Sequence, residues 1–209
     1  MSFEPFTTVT GTAVPLMLSN VDTDVIIRVD RMSSRKPADL APWAFEALRH
    51  RADGTPDPDC LLNQPRYQTA PILLAGNNFG SGSSREPAVW AIQGLGVRCI
   101  VAPSYGDIFK VNCQQNGVLA VVLAGEEVAR LADYASAGIP ITVDLLSQQI
   151  TAADDAWSFE VAIMQKRSLL EGLDDLELTL RDVDAVTAWE QADRRRRPWA
   201  WRPAAGTPQ

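Results

Sequence analysis

The 209-residue sequence has little of the two residue types that most often bind metals in proteins, with one histidine, His50, and three cysteines, Cys60, Cys99 and Cys113. These residues lack the spacing of a zinc site or an iron–sulfur cluster, so the chain is a poor candidate to ligate either by itself. The cysteines are odd in number and unpaired in spacing, which argues against a disulfide framework and suggests a reducing compartment. Any metal at the site is therefore expected to come from another chain.

The sequence also lacks an excess of basic residues and any apolar run of membrane length. Its 19 Lys and Arg residues face 26 Asp and Glu residues, a net charge of -7, whereas nucleic-acid binding needs a concentrated basic face. Residues 1–10 do not show the basic-then-apolar pattern of a signal peptide. We expect a cytoplasmic protein that binds neither nucleic acid nor a membrane.

The composition is that of an ordinary globular protein, 46% hydrophobic and 22% charged. The length suits one well-buried domain better than two. We expect a single domain over residues 1–193. Residues 194–209 begin with four arginines and contain three prolines, and they predict a disordered, solvated tail.

The middle of the chain alternates between two patterns. Residues 97–102 and 118–123 are continuous apolar runs of strand length, and residues 105–115 and 126–137 are compatible with helices. Strands that are apolar throughout and separated by helices predict a parallel sheet covered by helices.

Shorter elements surround this core. Residues 8–15 alternate weakly and predict an early strand, and residues 168–190 are rich in helix formers. Antiparallel strands are predicted for residues 141–145, 148–151 and 157–161. The fold class is therefore α/β, with a mainly parallel sheet, short additional antiparallel strands and a helical C-terminal part.

We expect residues 76–91, which read GNNFGSGSSREPAVWA, to carry the chemistry. They follow a buried-type strand at residues 72–75 and lead into a helix-compatible segment from residue 86. Backbone N–H groups and the positive helix end at such a junction favour an anion. Side chains add to this through the guanidinium of Arg85 and the hydroxyls of Ser81, Ser83 and Ser84. The loop is expected to bind a carboxylate or a phosphate.

Two groups of polar residues allow a structural and a functional interpretation. Ser83 and Ser84 can cap the following helix or take part in catalysis. Asp22 and Asp24 can form an Asx-type turn or face a ligand. Residues 28–39 contain four cations that could line a site for an anionic substrate.

Four segments, taken together and in order, are more specific than any single loop. They are residues 20–24 (NVDTD) with Ile26 and Ile27, residues 78–80 (NFG) with 82–86 (GSSRE), residues 103–105 (PSY) with 107–109 (DIF) and Asn112, and residues 172–175 (GLDD) with 178–180 (LTL). The chain thereby resembles the small subunits of 3-isopropylmalate dehydratase, in the aconitase superfamily. The similarity extends from about residue 6 to about residue 192.

This resemblance implies a swivelling β/β/α three-layer domain. It implies a large subunit that carries a [4Fe-4S] cluster, with the active site between the two chains in a heterodimer or heterotetramer. The reaction implied is isomerisation of 2-isopropylmalate and 3-isopropylmalate by dehydration and rehydration, a step of leucine biosynthesis. The substrate is then a small dicarboxylate or tricarboxylate, and this chain itself binds no cofactor.

The resemblance also implies roles for individual residues. Ser83, deprotonated, abstracts the substrate proton, and Arg85 binds a substrate carboxylate. The further substrate-binding candidates are Ser84, Asp22, Asp24, Arg31 and Arg35.

Several positions depart from the family pattern. Ser81 and Pro87 stand where the family has cysteine and histidine, and Arg28 replaces a proline. In the substrate loop, residues 31–32 and 36–39 replace an aromatic–Leu pair and a Thr-Arg-Thr-Gly segment.

Two alternatives therefore stay open. The first is the same reaction on another malate-type acid (citraconate or 2-methylmalate, dimethylmalate, or homoaconitate). The second is a non-catalytic paralogue that binds a large subunit. A free-standing nucleotide-binding protein is disfavoured, since no Walker lysine follows the glycines.

Overall fold

The computed structural model of the protein describes residues 3–32, 36–82 and 85–201, apart from the side chain of Asp175. The described chain contains two four-stranded sheets. The strands are β1 (Thr8–Gly11), β2 (Ala13–Pro15), β3 (Ile72–Leu74), β4 (Cys99–Ala102), β5 (Leu119–Val122), β6 (Ile141–Asp144), β7 (Gln149–Ala152) and β8 (Asp155–Ser158). The α-helices are α1 (Thr23–Ile26), α2 (Pro37–Leu40), α3 (Glu46–Arg49), α4 (Glu86–Gly94), α5 (Asp107–Gln115), α6 (Gly125–Ser136), α7 (Ile163–Glu171), α8 (Asp175–Arg181) and α9 (Val183–Arg196).

The parallel sheet is the middle layer of three. Its strands run in the order β2-β3-β4-β5, and all neighbouring pairs are parallel. Because successive side chains point to opposite faces, Leu73 and Ile100 pack into the core beneath α4 and α5. Ile72 and Leu74 pack instead into a second core with α6 and the antiparallel sheet. The predicted α/β class, with a parallel sheet and β/β/α layers, is confirmed.

The antiparallel sheet has the order β1-β6-β7-β8. Its last three strands confirm the predicted C-terminal strands, with ends shifted by at most three residues. The single strand predicted over residues 8–15 is instead divided between the two sheets, because β1 pairs with β6 while β2 pairs with β3. Gly11 lies at the division, where a Cβ atom would come within 2.9 Å of the Pro71 ring. Close passage between the sheets therefore favours glycine there.

The C-terminal helix runs past the predicted end of the domain. Residues 194–196 form its last turn and Pro198–Ala200 form a 3-10 turn, where the sequence predicted a disordered tail. The cause is Asp193, which is buried and accepts hydrogen bonds from Arg197 Nε at 2.8 Å and Trp201 Nε1 at 3.1 Å. Residues 202–209 lie outside the described residues, so the prediction for them stands untested.

No helix in the described ranges combines the length and the apolar character needed to cross a membrane.

Candidate functional site

The described part of the predicted anion-binding loop, residues 76–82, is named here the site loop. It follows β3 and lies at the edge of the parallel sheet where all four strands end. On one side, Gly80 N donates to Val21 O at 2.7 Å and Thr23 N donates to Ser81 O at 3.0 Å. Ligands of open α/β sheets bind at this edge because the connecting loops meet there.

The other side of the site loop contacts the segment that follows β4. Phe79 N donates to Ser104 O at 3.0 Å, and Gly106 N donates to Phe79 O at 2.9 Å. Gly80 has φ +70°, and a Cβ atom there would overlap the Phe109 ring. The glycine thus provides close packing against α5 in addition to the left-handed conformation.

Asparagine and serine side chains brace the site loop, a role that the sequence prediction missed. Asn78 N donates to Ser104 Oγ at 2.8 Å, and Asn78 Nδ2 donates to Asn20 Oδ1 at 2.9 Å. Both asparagines have positive φ angles, 57° at Asn20 and 56° at Asn78. Asparagine tolerates this conformation better than most residues, so its position in two turn segments was the available signal.

Asp22 is the N-cap of α1. Its Oδ1 accepts a hydrogen bond from Val25 N at 2.8 Å, so this aspartate has a local structural role as a helix cap, and its role towards a ligand stays a prediction. The cap allows the β-branched residues that follow to start a helix. Asp22 also lies beside the site loop, since it forms an isolated parallel bridge with Ser81.

Asp24 and Arg85 are brought together by the fold. Arg85 is the N-cap residue of α4, and its Nη1 donates to Asp24 Oδ1 in the first turn of α1. The Arg85 side chain is 23% exposed and that of Asp24 is 58% exposed. The hydrogen bond between described residues that the Arg85 guanidinium makes uses Nη1, one of its three nitrogen atoms.

Helix α4 begins directly after Arg85. Pro87 lies in its first turn, a position that proline tolerates because the N–H groups there lack intrahelical partners. Ser83, Ser84 and Arg35 lie outside the described residues, and their roles stay predictions.

Arg31 forms an ion pair with Glu46 of α3. Arg31 donates to Glu46 through Nε at 3.1 Å and Nη2 at 2.8 Å, and its guanidinium carbon lies 3.9 Å from the centroid of the Trp43 ring. Hydrogen bonds from Arg31 hold the pKa of Glu46 below its usual range, and they raise the pKa of Arg31. The pair ties the 3-10 turn Val29–Arg31 to α3.

Glu46→Gln is expected to lower the melting temperature near neutral pH, because it removes the charged partner of Arg31. The lowered pKa of Glu46 means that the pair stabilises the fold when the carboxylate is ionised. This contribution is lost as the pH falls through that lowered pKa, so the gap to wild type should close in acid. Thermal unfolding between neutral and acid pH measures it, with the exposed Glu160→Gln as control. A gap that does not change with pH would contradict the assignment.

The described residues do not fit a metal cluster. They contain no group of three or more His, Cys, Asp or Glu side chains arranged to hold a metal ion. Cys99 and Cys113 are buried, and burial raises the pKa of both thiols well above the usual range, which disfavours the thiolate that a metal requires. Cys60 is half-buried.

Comparison with known proteins agrees with this geometry. The family model of the aconitase C-terminal domain matches residues 3–126. The 3-isopropylmalate dehydratase small subunit of Rhizobium meliloti is 44% identical over 94% of this chain and 100% of its own length. That of Paramagnetospirillum magneticum is 47% identical over 94% of this chain and 99% of its own length.

A solved structure shows the same fold. The crystal structure of 3-isopropylmalate dehydratase from Methanocaldococcus jannaschii superposes with a TM-score of 0.64 at 24% identity, covering 87% of this chain and 99% of the archaeal chain. The bacterial proteins are 44% and 47% identical to this chain over nearly their full length, and this identity shows a shared family in addition to a shared fold. The chain belongs to the family of 3-isopropylmalate dehydratase small subunits, within the aconitase superfamily.

Proposed function

We propose that this chain acts in the cytoplasm with a large subunit to isomerise 2-isopropylmalate and 3-isopropylmalate by dehydration and rehydration, as part of leucine biosynthesis. The observation that carries the proposal is Arg85, held by Asp24 at the start of α4 beside the site loop. The names of relatives 44% and 47% identical over nearly their full length support the substrate.

Arg85 is suited to bind a carboxylate of the substrate. Its guanidinium is a planar fork that can donate two parallel hydrogen bonds, and the N-terminus of α4 adds a partial positive charge. A charge-assisted contact of this kind contributes about 1.5–3 kcal/mol. The second carboxylate of a malate-type acid needs further donors, for which Ser84 and Arg35 remain the candidates on this chain.

Asp24 acts through Arg85. A carboxylate repels the carboxylates of the substrate, so direct binding between them is unfavourable. Asp24 instead occupies Nη1 and restricts the rotation of the guanidinium. Asp22 holds α1, and Arg31 holds the neighbouring turn against α3. We therefore assign these three residues to positioning.

Asp24→Asn is expected to raise the KM for substrate by about threefold to tenfold, since the exposed ion pair is worth only about 0.2–1 kcal/mol and the lost alignment adds to it. The kcat should change less. Steady-state kinetics of the single variants and of the double variant with Arg85→Lys would measure the coupling. The double variant should resemble Arg85→Lys alone, and fully additive effects would contradict the assignment.

Ser83 is assigned to proton transfer. Its alkoxide takes a proton from the carbon next to a carboxylate and becomes a neutral hydroxyl, while the hydroxyl on the adjacent carbon leaves as hydroxide, so that the elements of water are removed. Hydroxide then adds to the first carbon while the Ser83 hydroxyl returns its proton to the other carbon, which restores the alkoxide. A serine alkoxide is formed only where N–H donors and positive charge stabilise it, and the site loop, the α4 N-terminus and Arg85 supply these.

The [4Fe-4S] cluster is assigned to the large subunit. The described residues of this chain contain no group of side chains arranged to hold a metal ion, and the steps assigned above are those of this chain's own residues. The family name, small subunit, implies such a larger partner.

Reconstitution tests the proposal. The chain is co-expressed with the large subunit of the same organism, the complex is purified without oxygen, and 3-isopropylmalate, citraconate, dimethylmalate and homoaconitate are compared. We expect the highest kcat/KM for 3-isopropylmalate. Preference for another acid would overturn the substrate assignment. A complex that turns over none of them would favour the non-catalytic paralogue.

A further inference from the structure

Asn116 is the C-cap residue of α5, and its side chain joins α5 to α4. Its Oδ1 accepts a hydrogen bond from Trp90 Nε1 at 2.7 Å. Its Nδ2 donates to Glu86 Oε1 at 3.0 Å and to the backbone oxygen of Asn112 at 2.8 Å. Because a side-chain amide has one oxygen and two N–H donors, these partners use the oxygen and both donors of Asn116.

The partners of Asn116 allow one orientation of its amide. The indole N–H of Trp90 can only donate, so it must meet the amide oxygen. The backbone oxygen of Asn112 can only accept, so it must meet the amide nitrogen. The remaining N–H then points to Glu86, and the carboxylate of Glu86 is held as an acceptor.

The contacts of Asn116 extend along one side of α4. Glu86, Trp90 and Gln93 are spaced i, i+4 and i+7, which places them on one side of the helix. Gln93 completes the row, since its Nε2 donates to the backbone oxygen of Asn116 at 2.5 Å. Other positions of α4 pack into the core beneath it: Ala88, Val89, Ala91 and Ile92. Hydrogen bonds on one side and core packing on the other together fix the rotation of α4 about its axis.

The first turn of α4 carries Arg85. Glu86 is the first residue of the helix, directly after Arg85, and Ala88 N donates to the backbone oxygen of Arg85 at 3.1 Å. A shift of this turn therefore moves the guanidinium and the positive helix end together. Small displacements of a group that binds substrate lower the rate strongly, because binding must hold the reacting atoms in alignment.

We propose that Asn116 is a positioning residue, which acts through Glu86 to set the placement of Arg85 towards a substrate carboxylate. The inference rests on the proposed function, in which Arg85 binds that carboxylate. Asn116 lies 30 residues from Glu86 along the chain. Its oxygen and both of its N–H donors have partners within the fold, so we assign it no direct contact with the substrate.

Asn63 offers a matched control. Its Nδ2 donates to Arg49 O at 2.6 Å and to Asp57 O at 2.8 Å, and its Oδ1 accepts from Arg49 Nε at 3.0 Å. Alanine at Asn63 removes these side-chain bonds, as alanine at Asn116 removes those described above. We therefore expect a similar loss of stability in the two variants. The bonds of Asn63 lead to the end of α3 and the loop after it, instead of to α4.

The kinetic test uses the complex reconstituted with the large subunit and 3-isopropylmalate as substrate. Asn116→Ala is expected to raise the KM by about 3–30-fold, because hydrogen bonds that align Arg85 are lost. Asn63→Ala should leave the KM within about twofold of wild type at a similar melting temperature. In an Arg85→Lys background, Asn116→Ala should raise the KM by less than about twofold, since the group that it positions is gone.

Variants of Glu86 test the link between Asn116 and Arg85. Glu86→Ala removes the acceptor next to Arg85 and should reproduce most of the KM increase. Glu86→Gln keeps a side-chain oxygen as acceptor and should stay within about threefold of wild type. Because Glu86 is exposed, its variants are expected to fold even where Asn116→Ala does not. A wild-type KM for Glu86→Ala would overturn the route through Glu86.

A measurement on the free full-length chain separates this inference from the proposed function. Nuclear magnetic resonance of the isotope-labelled chain reports the Nε–H signal of Arg85, which is assigned by its loss in Arg85→Lys. We expect Asn116→Ala to shift this signal and Asn63→Ala to leave it in place.

Two results would overturn the positioning role of Asn116. One is an Arg85 signal that does not move in Asn116→Ala, and the other is an equal change of KM in the two asparagine variants. A wild-type complex without turnover would instead refute the proposed function. In that case the Arg85 signal still decides whether Asn116 positions Arg85.

Discussion

Replacing Ser83 with alanine is expected to lower the kcat of the reconstituted enzyme by about 10²–10⁴-fold, the range contributed by a positioned general base. Alanine removes the oxygen that takes the substrate proton and leaves Arg85 and the site loop in place. The KM should therefore change little. Steady-state kinetics of the purified complex measure both constants.

The control for Ser83→Ala is Ser158→Ala, on the exposed face of β8 and far along the chain from the site. Both variants should bind the large subunit with wild-type affinity. The competing assignment makes Ser83 a helix cap, in which case alanine lowers the free energy of unfolding by about 0.5–2 kcal/mol and leaves kcat intact. Retained turnover together with a lower melting temperature would contradict the catalytic assignment.

Replacing Arg85 with lysine is expected to raise the KM by about 10–100-fold, equivalent to roughly 1.5–3 kcal/mol of lost binding. The ammonium keeps the charge but cannot reproduce the planar fork that holds a carboxylate through two hydrogen bonds. It also cannot bind Asp24 and a substrate in the same geometry. The kcat should fall less than the KM rises.

Arg28→Lys is the matched control, since Arg28 is exposed and pairs with Asp30 at 3.1 Å. It should leave both constants near wild type. A fall in kcat at unchanged KM for Arg85→Lys would mean that Arg85 chiefly stabilises the charge on Ser83 rather than binding substrate. That result would preserve the site and change the role of the arginine.

The parallel sheet was predictable because its strands are buried on both faces. The apolar runs at residues 97–102 and 118–123 contain β4 and β5, and each is followed by a helix, as predicted. A strand buried on both faces needs no polar alternation, so a continuous run is a strong local signal. The division of residues 8–15 into β1 and β2 had no such signal, because it depends on pairing with β6 and β3.

The sequence by itself determined the family, the site loop and the candidates Ser83 and Arg85, since these depend on residue types in a fixed order. Only the tertiary structure decided which charges meet. Arg85 pairs with Asp24, 61 residues away, while Arg31 pairs with Glu46, 15 residues away, and so joins the turn Val29–Arg31 to α3. The pair of Arg85 and Asp24 depends on how the parallel sheet brings the ends of β2 and β3 to one edge, and this long-range pairing leaves no local pattern around either residue.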